Sequence, residues 1–324
     1  MIEKIKLDLF KLKPKKDLKS IYSFFKKKTL GWFDSKQLPK SKYFNYIPCP
    51  LCNSLSSKEV YSIDNFSYHE CKSCQSIYTK PHIKEFVLDD LYSDGTYQVY
   101  QDKLVGNSKG IRKGVLEKRK YLQIKDFVRQ KTPFLLDVGC GVGTFLDICK
   151  KNKWKVEGVD PSPKASKLIQ SKYGIKVYEG DFNKIKFNKK YDIITFWGVL
   201  EHVLNPIKTI NKATNILNKN GLIVFEVPSA DCFLSKYLKK FNFSPTRYIE
   251  SGRHNIFFSK KVIKQIVKKN KLKIEYIESN GLDIQTILFE EFTVPTTKKL
   301  INMQDILNDL FLGDHYRVIL RKQN

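Results

Sequence analysis

The stretch LLDVGCGVGTF, residues 135–145, decides the fold. Leu135, Leu136 and Val138 form a short apolar run interrupted only by Asp137, Gly139, Gly141 and Gly143 follow, and Thr144, Phe145, Leu146 and Ile148 begin a helix-like pattern. The order predicts a strand, a tight glycine turn and a helix. Glycine lets a backbone turn sharply and a ligand approach the main chain. The first turn of the helix behind it offers N–H donors suited to a carboxylate or phosphate. A dinucleotide fingerprint would require Gly or Ala where Thr144 stands, and a P-loop would end in Gly-Lys-Ser/Thr, which is missing here.

Downstream, the chain repeats strand and helix signals at a steady rhythm. Lys155 to Val159 reads as a second strand, closed by Asp160 and Pro161. Asp160 lies 17 residues beyond Gly143, close to the distance at which an acid ending the second strand meets a ribose diol. An Asp before Pro161 would equally suit a helix cap. Lys176 to Glu179 gives a third strand followed by Gly180, Asp181 and Phe182; Tyr191 to Trp197 is a fourth, rich in β-branched and aromatic residues; Leu222 to Val227 is a fifth. A helix at Lys260 to Lys269, a strand at Lys273 to Ile277 and a last strand at Tyr316 to Arg321 complete the pattern. Such alternation predicts a mostly parallel α/β sheet with ligands at the carboxyl ends of its strands.

Before residue 131 the character changes. CPLC at Cys49 to Cys52 and CKSC at Cys71 to Cys74, 18 residues apart, supply four thiolates that can close a tetrahedral zinc site. Four thiolates leave no open position for water, so the expected role of the zinc is structural. Lys58 to Asp64 and Ser67 to Glu70 read as the strands of a zinc ribbon. The expected division is therefore a basic extension (1–45), a ribbon (46–82), a linking and partly helical segment (83–130) and the α/β domain (131–324). The extension interleaves lysines with Phe24, Phe25, Trp32 and Phe33. Without a clean apolar stripe it reads as loosely packed, with contact to an anionic membrane surface as the functional alternative. Cys140, Cys149 and Cys232 read as small buried hydrophobes.

Composition bounds the partners. In 324 residues, 59 basic against 33 acidic side chains give a net charge of +26. The excess is spread over both halves, and only seven of the basic residues are Arg, the type that grips phosphate and bases at two points. This places nucleic acid below a small-molecule or glycan acceptor. No apolar run of membrane-spanning length exists and the N-terminus lacks a signal-peptide core, so a cytoplasmic protein is expected.

LLDVGCGVGTF, VEGVDPSP, Asp181, YDIITFWGVLEHV and LNKNGLIVFEVP occur in the order of motifs that resembles class I S-adenosylmethionine (SAM)-dependent methyltransferases. The resemblance implies a Rossmann-like, seven-stranded, mostly parallel sheet and an enzyme using SAM. Gly139, Gly141 and Gly143 would face the methionine part, Asp160 the ribose, and Asp181 with Phe182 the adenine. Asp137 would order the turn or meet the amino group, and Trp197 would lie near the methyl end. The ribbon, this domain and HNIFFS at His254 to Ser259 together look like methyltransferases of sugar and polysaccharide biosynthesis. In the deoxysugar C-methyltransferases among them a Glu-His pair occupies that loop. Here Arg253 stands where the Glu would be, which suggests that it holds an anionic group of the acceptor. His254 and His202 are the candidate bases, since a neutral imidazole accepts a proton near working pH. Tyr97 is a candidate acceptor contact.

Two other classes stay open. An rRNA or tRNA methyltransferase would also combine a ribbon, basic charge and this domain. However, the Asn/Asp-Pro-Pro-aromatic tetrad common in base N-methylation is replaced by Trp197-Gly198-Val199-Leu200. A non-catalytic SAM-binding interaction protein is the third possibility.

Overall fold

The computed structural model describes residues 15–93, 112–241, 246–292 and 297–323. Tyr97 lies outside them. The N-terminal part contains α1 (Lys15–Leu30), β1 (Phe44–Asn45), β2 (Ser57–Ile63), β3 (Phe66–Cys71), β4 (Ile77–Thr79), β5 (His82–Ile83) and α2 (Glu85–Ser93). β2, β3 and β4 form an antiparallel meander and β1 pairs with β5. Phe66, at the turn between β2 and β3, gathers the rings of Trp32, Phe33 and Phe44 at centroid distances of 6.2, 5.1 and 6.0 Å. All four rings are buried.

This corrects the expectation of a loosely packed extension. Trp32 and Phe33 follow the end of α1 and Phe44 sits in β1, so the apolar set is distributed over separate segments and no single helical period reveals it. Trp32 and Phe33, two of the rings offered for bilayer contact, pack against the ribbon, whereas Phe24 stays exposed. No helix among the described residues is long and apolar enough to cross a membrane.

The second part begins with a π-turn at Arg112–Glu117 that runs into α3 (Lys118–Lys125). It continues through β6 (Phe134–Val138), α4 (Thr144–Lys151), β7 (Lys155–Asp160), α5 (Pro163–Tyr173), β8 (Val177–Glu179), β9 (Tyr191–Trp197) and α6 (Pro206–Asn215). After β10 (Leu217–Pro228) come α7 (Phe233–Lys240), α8 (Thr246–Ile249), β11 (Ile256–Phe257), α9 (Lys260–Lys269), β12 (Leu272–Asn280), α10 (Asp283–Phe292), α11 (Lys298–Asp309) and β13 (His315–Lys322). Seven strands form one sheet in the order β12-β13-β10-β9-β6-β7-β8, with only β13 antiparallel to its neighbours. The central strands β6, β9 and β10 carry continuous apolar runs at Leu135–Leu136, Ile193–Ile194 and Leu222–Phe225, as strands covered on both faces do. β10 is longer than expected: Leu217 pairs with Tyr191, and the register then shifts before Leu222 resumes pairing with Ile193.

β11, the centre of the HNIFFS stretch, leaves the large sheet. It pairs antiparallel with β4, making the ribbon a four-stranded sheet in the order β11-β4-β3-β2. Cys49, Cys71, Cys74 and Tyr78 share one apolar core with Ile256, Phe258 and Val262. Consequently the four segments read from the sequence have no seam in packing between ribbon and α/β domain.

Candidate active site

β6 ends in the glycine turn as expected, with Gly139, Gly141 and Gly143 at φ +72°, +54° and +73°. Two of the glycines are needed for space as well as conformation. A Cβ on Gly139 would lie 2.5 Å from Val199 Cγ2, and one on Gly143 2.7 Å from Ile169 Cγ1. The turn differs from the expectation in one respect: its amides are used internally. Gly139 and Cys140 N–H both donate to the Val159 carbonyl (2.8 and 3.1 Å), Gly143 to Cys140 (2.9 Å), and Gly141 to Asp160 Oδ2 (2.8 Å). A turn packed at the carboxyl end of an interior strand must satisfy its own donors. What it offers a ligand is a surface without side chains, open at Gly141, where an added Cβ would meet nothing within 4 Å.

A cavity of about 600 Å³ lies over this turn at the carboxyl ends of β6, β7, β8 and β9. Asp137, Asp160, Asp181, Phe182 and Trp197 all line it. Asp137 is buried and accepts from Thr195 Oγ1 at 2.6 Å. Burial pushes its carboxyl up to about 7, although the Thr195 hydrogen bond pulls the other way. Asp160 is raised to about 6 by burial, against the amides of Ser162 and Gly141 (2.9 and 2.8 Å). These two bonds leave further lone pairs on its oxygens. Asp160 does not cap the next helix: Ser162 does, accepting from Ala165 N–H at 3.3 Å with Pro163 opening α5. Asp181 Oδ1 accepts from the Asn183 amide (2.9 Å), and Phe182 is buried against Phe196.

At the other end of the cavity stands His202. Its Nδ1 lies 2.8 Å from the Arg253 carbonyl and its Nε2 3.9 Å from Glu201 Oε1. A carbonyl only accepts, so Nδ1 carries the proton and Nε2 the lone pair. Burial, with His254 and Arg253 adding to it, holds this imidazole well below the usual histidine range. Burial also pushes the Glu201 carboxyl up to about 8, so at neutral pH the pair is an acid and a base without net charge. His254 packs behind His202, ring centroids 5.0 Å apart, and its Nδ1 is 2.7 Å from the Tyr248 carbonyl. It does not line the cavity. Neither does Arg253: its guanidinium pairs with Glu250 at 2.9 Å and lies 4.7 Å over the Phe25 ring. Glu250 is also 3.7 Å from His254 Nε2, so the carboxylate missing from position 253 is present three residues upstream of it.

A family model described as a methyltransferase domain matches residues 116–277. The chain belongs to this methyltransferase family. Among curated relatives, an uncharacterised protein of Methanocaldococcus jannaschii is 30% identical over 43% of this chain and 74% of its own length. Ubiquinone biosynthesis O-methyltransferases of Nitrosospira multiformis and Pelagibacter ubique are each 26% identical, over 36% and 46% of this chain. The match spans 48% and 65% of those two proteins, less than two thirds of either. A magnesium protoporphyrin IX methyltransferase from Synechocystis, solved with bound SAH, aligns with 74% of this chain and 99% of its own at a TM-score of 0.48 and 15% identity. A SAM-dependent methyltransferase from Archaeoglobus fulgidus aligns over 70% and 99% at 0.45 and 21%.

Two features of the methyltransferase cavity escape sequence reading. Lys120 and Glu117 line it beside Trp197, joined at 3.1 Å, with the Lys120 ammonium 4.9 Å over the Trp197 ring. The Trp197 indole N–H is buried with no hydrogen-bond partner. At the mouth, Lys184 bridges to Glu85 and Asp89 of α2 at 2.9 and 3.4 Å. In the sequence, Glu117 and Lys120 are two charges in a run of charges, and nothing in their spacing marks them. The unsatisfied indole is a signal only once burial is known.

In the ribbon, Cys49 and Cys74 Sγ lie 3.7 Å apart and Cys52 and Cys71 Sγ 3.5 Å apart, and all four thiols fall within 4.8 Å of one another. Tetrahedral Zn–S bonds of about 2.3 Å require Sγ–Sγ separations of roughly 3.8 Å. The donor set therefore suits a zinc ion. Cys140, Cys149 and Cys232 are buried elsewhere in the core.

Proposed function

We propose that this enzyme transfers the methyl group of SAM to a hydroxyl of a small-molecule acceptor, with the ribbon holding a structural zinc. SAM supplies an electrophilic methyl that needs no further activation. The chain's residues then have three tasks: to hold the donor, to align the acceptor, and to take the proton released as the oxygen is methylated.

On the donor side, Asp160 would accept from the ribose diol and Asp181 with Phe182 would flank the adenine. Asp137 would meet the amino group; Lys120 and the unpartnered Trp197 indole N–H would meet the carboxylate. The glycine turn gives close approach. On the acceptor side, His202 is the proton acceptor, because its ring lines the cavity and its Nδ1–H is committed to the Arg253 carbonyl. That single arrangement carries the reading. His254 and Arg253 support the wall behind it.

The ubiquinone-pathway relatives act as O-methyltransferases by name, which favours oxygen as the atom methylated. A sugar or glycan hydroxyl remains the acceptor class suggested by the ribbon and HNIFFS arrangement; a phenol is the class suggested by those relatives. The test is incubation with methyl-labelled SAM and fractionated lysate, nucleotide sugars, catechols and RNA in parallel. Label entering a small hydroxylated molecule is expected, and the fraction identifies the class. Label confined to RNA, or no transfer by protein that binds SAH, would refute the proposal.

A further inference from the structure

The ribbon reaches the active site through β4. On the knuckle side, Ser259 Oγ donates to the Cys74 carbonyl at 2.5 Å, and Ser259 N–H donates to Ser76 Oγ at 3.1 Å. Three residues after Ser76, at the end of β4, Thr79 N–H donates to the Asn255 carbonyl (3.0 Å) and Thr79 Oγ1 to Asn255 Oδ1 (3.4 Å). Asn255 then turns inward. Its N–H donates to the Glu201 carbonyl at 3.2 Å, and its Nδ2 to the Arg253 carbonyl at 3.2 Å. The same Arg253 carbonyl receives His202 Nδ1–H. Ser76, Asn255 and Ser259 are fully buried, so no water competes for these bonds.

A two-residue strand has little pairing energy of its own, and β11 has no neighbour in its sheet other than β4. The far end of the stretch is tied to β10, where Phe258 N–H donates to the Pro228 carbonyl (2.8 Å) and Ala230 N–H to the Phe258 carbonyl (2.9 Å), and Arg253 N–H donates to the Glu250 carbonyl (2.9 Å); between these anchors, β4 and Asn255 set where the Arg253 carbonyl points. We infer that Asn255 is a positioning residue through which the metal-loaded ribbon holds the Arg253 carbonyl against His202, and so sets the tautomer and direction of the imidazole at the cavity wall. This deepens the role proposed above for His202, and its test does not require methyl transfer. Free imidazole in water favours the proton on Nε2, so the Nδ1–H form is a signature of the carbonyl contact.

The full-length, zinc-loaded protein labelled with ¹⁵N-histidine is read by long-range ¹H–¹⁵N correlation, with the His202 signals assigned by their loss in His202→Asn. His202 is expected as the Nδ1–H tautomer. In Asn255→Ala, in Thr79→Val, and after removal of zinc by a chelator, it should pass to the Nε2–H form or a mixture. SAH affinity, measured by calorimetry, should stay within about twofold, since the donor end shares no partner with these residues. Thr79→Val keeps the ribbon strand amides and side-chain shape, and serves where the other two perturbations unfold the chain. An Nε2–H tautomer in the parent protein, an unmoved tautomer in folded Thr79→Val, or loss of SAH binding together with the tautomer would overturn the inference. Full methyl transfer by His202→Asn would refute the proposed base and leave the tautomer result standing.

Discussion

The proposed contact between Asp137 and the amino group of the cofactor should make cofactor affinity depend on pH. Its carboxyl is buried at the end of β6, and burial raises it from 3.8 to about 7 in the ligand-free protein. If the cofactor's ammonium group lies against it, the bound state requires the carboxylate. Binding then expels a proton wherever Asp137 is protonated beforehand. With a free-state value near 7, affinity is nearly constant above pH 8 and falls about tenfold from pH 8 to pH 6, which is ~1.4 kcal/mol. Asp160, raised to about 6, steepens the fall below that point. Stability moves in the opposite direction. A carboxyl whose folded value is raised contributes stability present below 3.8 and lost as pH rises through about 7, so the ligand-free protein should melt lower at pH 8 than at pH 6. SAH should accordingly raise the melting temperature more at the higher pH. Calorimetry of SAH binding at pH 6.5 in buffers of different ionisation enthalpy should give release of about 0.8 proton, the protonated fraction for a group titrating near 7. Asp137→Asn should bind SAH more weakly at pH 8 and lose most of the pH dependence between 6 and 8. A flat affinity in the parent over that range, or an unchanged slope in Asp137→Asn, would refute the placement of the ammonium group.

Four further outcomes follow from particular contacts. Gly143→Ala forces a left-handed backbone at φ +73° on a residue whose Cβ meets Ile169 Cγ1 at 2.7 Å; urea unfolding should show a loss of about 2–3 kcal/mol, with SAH binding impaired. Arg317 pairs with Glu226 through its Nε at 2.8 Å, and Arg317→Met should cost ~3–5 kcal/mol at pH 7. Burial alone would raise Glu226, but Arg317 overrides it and holds the carboxyl at about 2, so the deficit should be complete above pH 4.5 and shrink as pH falls towards 2. His202→Asn should lower turnover by roughly 10²–10⁴-fold with SAH binding intact, and in the parent enzyme the acid limb of the kcat profile should fall well below pH 6.5, because burial holds His202 neutral there. Deleting residues before 83 should give aggregated protein by size-exclusion chromatography, since it uncovers Ile256, Phe257 and Phe258, all fully buried, and leaves β11 without its partner strand.

What the sequence made legible was whatever is written locally. β9 is legible as Tyr191 to Trp197 and is found there, because six of its seven residues, all but Asp192, are β-branched or aromatic, a run with few other uses. The glycine turn was legible for the same reason: three glycines in five positions answer to φ values that other residues resist. The acids closing β6, β7 and β8 come to one cavity because parallel strands place their carboxyl ends together. The misses share a different cause. HNIFFS reads as a loop from which Arg253 and His254 reach a substrate, yet its inward face is decided by Cys74 and Ser76, some 183 residues earlier for the Ser76 and Ser259 pair. No local pattern records a partner that distant. Arg253 looks available in the sequence because its charge is visible and its neighbours are not; in the fold, Glu250 and the Phe25 ring take the guanidinium, and only its backbone carbonyl serves the cavity wall. A main-chain atom has no letter in the sequence. The functional use of this stretch is therefore carried by backbone held in place by Asn255. A substitution at Arg253 that preserves the fold should disturb His202 less than one at Asn255, although Arg253 is the charged residue.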